Sequence, residues 1–109
     1  MAGVSAINTF SLRPGVSAEQ FAAFSAELDR PTCLAFDVVE SFEVYLVDGD
    51  DASDIDVVEV MTVRSWQEWE AVRDNAPELK PVVQRFDELV EPASVATLLT
   101  RCTSPVEEN

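Results

Sequence analysis

The stretch Ile55–Val63 constrains the fold more than any other part of this 109-residue chain. Val57, Val58, Val60, Met61 and Val63 make it apolar at nearly every position, and it reads as a β-strand buried on both faces. In its middle stands Glu59. A bare carboxylate is very costly to bury, so Glu59 must be paired, hydrated in a pocket or protonated. Two readings stay open. It is a structural acid, matched to one of the few arginines or placed at a sheet edge, or it is the acid/base group of an internal cavity.

The flanking sequence supplies the rest of a domain. Val4–Leu12 alternates as a strand and stops at Arg13-Pro14-Gly15. Ser17 with Gln20 three residues later forms a capping box, and Phe21, Phe24 and Leu28 give the following helix an apolar stripe. Pro31 is expected to end it. Val38–Val47 predicts a second strand, closed by the acidic loop Asp48-Gly49-Asp50-Asp51, and Ile55–Val63 is the third. Ser65 caps a second helix with the stripe Trp66, Trp69, Val72 and Ala76, broken at Pro77. A third helix from about Glu78 carries Leu79, Val82, Val83, Phe86, Leu89 and Val90 on one face, and tolerates Pro81 in its first turn. Ala93–Arg101 predicts the last strand. Residues 1–102 are thus read as one domain, and 103–109 as a disordered acidic tail.

The order strand, helix, strand, strand, helix, helix, strand is an α+β, ferredoxin-like β-α-β-β-α-β unit with its second helix split. Its helices would cover one face of an antiparallel four-stranded sheet. Because the third strand is apolar on both sides, the bare face needs a partner. The expectation is a homodimer packed sheet on sheet, a dimeric α/β barrel.

Composition narrows the chemistry. Net charge is −14 with a pI near 4.1, which disfavours nucleic acid and anionic membrane as partners. With no histidine, haem ligation, His-based zinc sites and Ser-His or Cys-His nucleophiles are excluded. Cys33 and Cys102 are too few for a metal-ligand pattern; they could form a bridge, but are expected as thiols. Three glycines and no basic cluster leave no phosphate cradle. No apolar run approaches the roughly 20 residues of a membrane span, and no signal-peptide pattern opens the chain. The reading is a cytoplasmic protein with neither metal nor organic cofactor.

Glu59 shares a strand face with Met61 and Val63 and should look into a cleft between helices and sheet. Asn8, with Phe10 and Leu12 on its face, should point the same way, unless it marks a bulge or an edge. The Tyr45 hydroxyl could donate to a substrate carbonyl or oxyanion, or be satisfied in the core or an interface; Glu43 is solvated or interfacial. Asp29 lies at the margin of the first helix's stripe. Thr32 and Cys33 follow in a turn near the cleft mouth. Phe10, Phe24, Met61 and Trp66 are candidate apolar walls, with Trp66 and Trp69 otherwise core.

Asp29-Arg30-Pro31-Thr32-Cys33, then Val39-Glu40-Ser41-Phe42-Glu43-Val44-Tyr45 and Val58-Glu59-Val60, together with the helix Pro81–Phe86, resemble the RedY/HapK-like family over about residues 4 to 101. The resemblance implies a dimeric α/β barrel associated with tripyrrole (prodiginine-type) and bisindole natural-product pathways, whose members are regarded as small cofactorless cyclases or pathway-assisting proteins. By position it marks Asp29, Thr32, Cys33, Tyr45 and Glu59. The expected function is a cyclase of bacterial secondary metabolism. It would steer ring closure, or competing water attack, of a reactive indole- or pyrrole-derived intermediate, with Glu59, Tyr45 and Asn8 catalytic. The alternatives are a cofactor-independent monooxygenase using Asn8 and Trp66, and a non-catalytic binder of an intermediate.

Overall fold

The computed structural model describes residues 3–49 and 53–103. Four strands, β1 (Val4–Phe10), β2 (Val39–Leu46), β3 (Val57–Val63) and β4 (Ala96–Thr100), form one sheet in the order β2-β3-β1-β4 with every neighbouring pair antiparallel. This is the ferredoxin-like arrangement. The helices are α1 (Ala18–Phe24), α2 (Arg30–Leu34), α3 (Trp66–Asn75) and α4 (Lys80–Leu89). Short 3₁₀ turns at Pro77–Leu79 and Pro92–Ser94 absorb the two prolines.

The caps work as their sequence signals require. The Ser17 hydroxyl accepts from the Gln20 amide while the Gln20 side chain accepts from the Ser17 N–H, so two amides that the first helical turn leaves unpaired find partners. Ser65 accepts from the Glu68 amide at the start of α3. Gly15 supplies the positive φ (87°) of the turn between β1 and α1, a conformation that costs glycine nothing.

Pro31 does not end the first helix. Backbone angles stay helical from α1 through a π-helical turn, Ser25–Asp29, into α2. The Arg30 amide bonds to the Ser25 carbonyl, five residues back. A proline inside a helix has no N–H to give and crowds the carbonyl four residues before it, and a widened turn ahead of Pro31 relieves both. The helical run therefore reaches Leu34, and Thr32 and Cys33 lie in a helix rather than a turn. The sheet ends shorter than read: β1 stops at Phe10, leaving Leu12 in an isolated bridge with Val90, and β4 begins at Ala96 because Pro92–Ser94 is a 3₁₀ turn. Of the tail expected to be disordered, residues 104–109 lie outside the described residues, as do 50–52 of the acidic loop.

Burial along β3 alternates without a break. Val57, Glu59, Met61 and Val63 are buried under the helices, while Val58, Val60 and Thr62 are half-exposed on the other face. The core lies on the helix side. Its centre is a group of rings: Phe10 meets Phe21 edge-on at 5.4 Å between centroids and Phe86 at 5.1 Å, and Phe24 meets Phe21 at 5.5 Å. Burying such a side chain stabilises the fold by about 1.5–3 kcal/mol, and each edge-on pair adds about 0.5–1.5 kcal/mol. Phe10 and Phe24 are thereby committed to holding β1 against the first helix.

Candidate functional site

The sheet register fixes the floor of the site. Val44 on β2, Glu59 on β3, Asn8 on β1 and Thr97 on β4 stand side by side in one row across the helix-facing side. Above this row is a cavity of about 410 Å³, roofed by the helices. Asn8, Glu59, Met61, Ala6, Phe42 and Thr97 line it from the sheet. Asp29 and Cys33 line it from the first helical run, Trp66, Trp69 and Arg73 from α3, and Leu79, Val82, Val83 and Phe86 from the last helix and its leading turn. The volume suits a small organic molecule, and the walls are mostly apolar.

Glu59 is 4% exposed, and its Oε2 has no hydrogen-bond partner. It is not at a sheet edge, because β3 lies between β2 and β1. Among the described residues no lysine or arginine pairs with it. Burial raises its carboxyl from the ordinary value of 4.5 to about 8; the charge of Asp29 adds to the rise and a side-chain hydrogen bond with Asn8 opposes it. Asp29, 5% exposed, is raised by burial from 3.8 to about 6, against the opposing pull of a hydrogen bond from Cys33 and the charge of Arg30. Asp29 therefore ionises first, and its charge holds the proton on Glu59. Near neutral pH the cavity offers one carboxylate and one carboxylic acid, the separation of roles that acid/base sites exploit.

Cys33 stands one helical turn after Asp29, and its thiol donates to Asp29 Oδ1 at 3.5 Å. Burial, then Asp29 and Glu59, push the thiol well above its ordinary range, so it is a neutral donor and not a thiolate nucleophile. Neither cysteine is in a disulfide. At the rim, the Arg73 guanidinium lies over the Trp66 ring, 5.9 Å from its centroid, and pairs with Asp74 at 3.2 Å and Glu70 at 3.8 Å. Among the described residues, no group of three or more Cys, Asp and Glu side chains is placed to hold a metal ion.

Of the residues marked in the sequence, Glu59, Asn8, Asp29, Cys33, Met61 and Trp66 meet in this cavity. Four do not. Phe10 and Phe24 are in the ring cluster, and Thr32, half-buried on the helix that also carries Cys33, does not line the cavity. Tyr45 stands on the opposite face of the sheet, because its cross-strand partner is Val58, one residue out of step with the Val44–Glu59 pair. It is 53% exposed and donates to Glu43 at 3.2 Å. Glu43, expected from the sequence to be solvated or interfacial, shares this outer face with Tyr45 by strand parity. The reading missed Thr97 and Arg73. Arg73 follows Trp66 and Trp69 at helical spacing and could have been found. Thr97 becomes visible only once the β1–β4 register is known.

Comparison with known proteins places the fold and the family. The chain matches the model of the family described as REDY-like protein HapK over residues 4–101. HapK from Hahella chejuensis is similar in structure, with a TM-score of 0.76 and 21% identity over 89% of this chain and 90% of that one. A dimeric ferredoxin-like protein of unknown function from Thermobifida fusca matches with a TM-score of 0.73 and 15% identity, over 93% of this chain and 92% of that one. The hydroxynitrile lyase of Passiflora edulis matches with a TM-score of 0.70 and 13% identity, over 92% and 93%. At such identities these structures show a shared fold. No curated protein matches the chain with significance. With the family match running from the first strand to just beyond the last, the chain belongs to the family of REDY-like protein HapK.

Proposed function

We propose that the protein is a cofactor-independent enzyme of bacterial secondary metabolism. It would bind a flat, nitrogen-containing aromatic intermediate, such as a coupled indole dimer or a tripyrrole, and direct its ring closure. The observation that carries this reading is Glu59: a buried carboxyl with an unpartnered oxygen, facing an apolar cavity beside a second buried carboxyl. In a ring closure, a carbon nucleophile of the intermediate adds to an imine or carbonyl carbon. Glu59, protonated at rest, gives its proton to the imine nitrogen or carbonyl oxygen as the new bond forms. The resulting carboxylate then removes the proton from the newly bonded ring carbon, restoring both aromaticity and the resting acid. Trp66, Trp69 and Met61 hold one conformer of the reacting molecule, which supplies the entropic part of the acceleration.

The same reading includes a homodimer. The outer face of the sheet carries Ile7, Val58, Val60 and Leu98, with Leu98 64% exposed. Neighbours from Thermobifida fusca and Bacteroides fragilis are described as dimeric. Packing two such faces together would complete the barrel.

The test is Glu59→Gln, assayed with a freshly coupled indole dimer by chromatography of products, with an oxygen electrode in parallel. Gln keeps shape and hydrogen-bonding capacity but moves no proton. Product formation is expected to fall by about 10²-fold or more while the ligand still binds. Unchanged turnover would remove Glu59 as the acid/base. Stoichiometric oxygen uptake would replace the cyclase with a monooxygenase, and binding without turnover in the parent protein would leave a carrier.

A further inference from the structure

Thr97 lies on an edge strand and has no part in the chemistry described above. Its hydroxyl nevertheless donates to Asn8 Oδ1 at 2.7 Å, across the β1–β4 pairing in which Asn8 and Thr97 are direct partners. On its other side Asn8 is the direct partner of Glu59. The three side chains form one line across the sheet, from the edge to the buried carboxyl.

A carboxamide has two unlike ends, one accepting and one donating, and turning it over exchanges them. We propose that Thr97 is a positioning residue: its hydroxyl holds the oxygen of the Asn8 carboxamide toward β4, so that Asn8 presents only its NH₂ end to Glu59 and to the cavity. Asn8 then recognises an acceptor on a bound molecule, a carbonyl oxygen or an imine nitrogen, and discriminates against a second donor at that place. The proposal rests on the acid/base reading of Glu59 for its consequence in turnover, but its geometry can be tested without substrate.

The groups that face Glu59 are few. Asp29 and Cys33 approach from the first helical run and Arg73 lies at the rim on α3; the last helix, its leading turn and β2 present only uncharged apolar side chains there. Asn8 is therefore the neighbour through which a change at Thr97 would reach Glu59. An NH₂ donor favours the ionised carboxylate, so losing its fixed orientation must raise the Glu59 pKa.

The experiment is a carbon-13 NMR titration of the Glu59 side-chain carboxyl in the ligand-free protein. Thr97→Val keeps the β-branched shape and removes the hydroxyl. It is expected to raise the Glu59 midpoint by roughly half a pH unit to one unit. Thr97→Ser should restore the parent value, and Thr97→Val should have no effect in an Asn8→Ala background. A lowered or unmoved midpoint in Thr97→Val, or the same rise in the Asn8→Ala background, would overturn the proposal. Because no turnover is involved, this result is separable from the fate of the cyclase reading, which Glu59→Gln decides.

Discussion

The two faces of β3 are made of nearly the same residues and do opposite things. Val57, Met61 and Val63 on the inner face lock the sheet to the helices, and the polar exception among them, Glu59, opens onto a cavity. Val58 and Val60 on the outer face meet no helix and stay half-exposed within one subunit. Apolar character alone thus does not say what a strand face is for. On the inner side the covering layer comes from the same chain, and the buried acid is the informative residue. On the outer side no described helix of the chain supplies a cover, and the apolar residues themselves are informative.

The outer face gives the largest expected effect. Val60 stands at the middle of that face, between Ile7 and Glu43. Val60→Glu would place a carboxylate in each half of a two-fold interface, and an unpaired buried charge costs about 3–5 kcal/mol. Dissociation is expected to strengthen by two orders of magnitude or more, moving the light-scattering mass at micromolar concentration from twice 12 kDa to once. A parent protein that is already a 12 kDa monomer would break the comparison, since the outer face would then be apolar without a function.

The inner face predicts a dependence of stability on pH. Glu59 and Asp29 keep their protons in the folded state to about pH 8 and 6, whereas the unfolded chain releases them near 4.5 and 3.8. Unfolding therefore sheds protons between those values. The stability tied to these protons is complete below about pH 4, falls as the pH rises, and is gone above about 8. The loss attributable to Glu59 is on the order of a few kcal/mol. Glu59→Gln removes that part, so the melting temperature of the variant should decline less steeply between pH 5 and 8 than that of the parent. The slope is the readout, because a buried amide has its own cost. Parallel slopes would mean that Glu59 is ionised in the folded state and that the inner face tolerates a charge.

Much of this comparison is legible in the sequence, and what is not has physical causes. The strands, the two serine caps and the inward direction of Glu59 follow from local periodicity, which a strand and a capped helix both obey. Pro31 misleads because proline usually stops a helix. A π-helical turn, Ser25–Asp29, lets the chain continue with helical backbone angles into α2, and no local pattern records it. The consequence reaches the site, since the continued helix is what places Cys33 one turn beyond Asp29 inside the cavity. Phe10 and Phe24 have the right type for cavity walls, but four phenylalanines attract one another first. Thr97 is hidden for a different reason: its importance lies in a register between strands 89 residues apart.

The smallest expected effect is at Tyr45, and it tests the division between faces most sharply. Tyr45 has the chemistry of an oxyanion donor, and a reading by residue type puts it in the site. The register puts it on the outer face of the edge strand β2, 53% exposed, with its hydroxyl turned to Glu43 two residues away on the same face. Glu43 raises the Tyr45 pKa, first through this hydrogen bond and then through its charge, which keeps the phenol protonated and a donor to Glu43. A sheet lies between that hydroxyl and the cavity of its own subunit. Within one subunit Tyr45→Phe removes a single exposed bond, so the stability of the subunit should change by no more than about 0.5 kcal/mol. Turnover should stay within about twofold of the parent, and Glu43→Gln should be equally quiet. A tenfold or greater fall in turnover with Tyr45→Phe, at unchanged melting temperature and unchanged mass, would mean that the outer face carries chemistry as well as association. The two faces of β3 would then no longer divide the work between them.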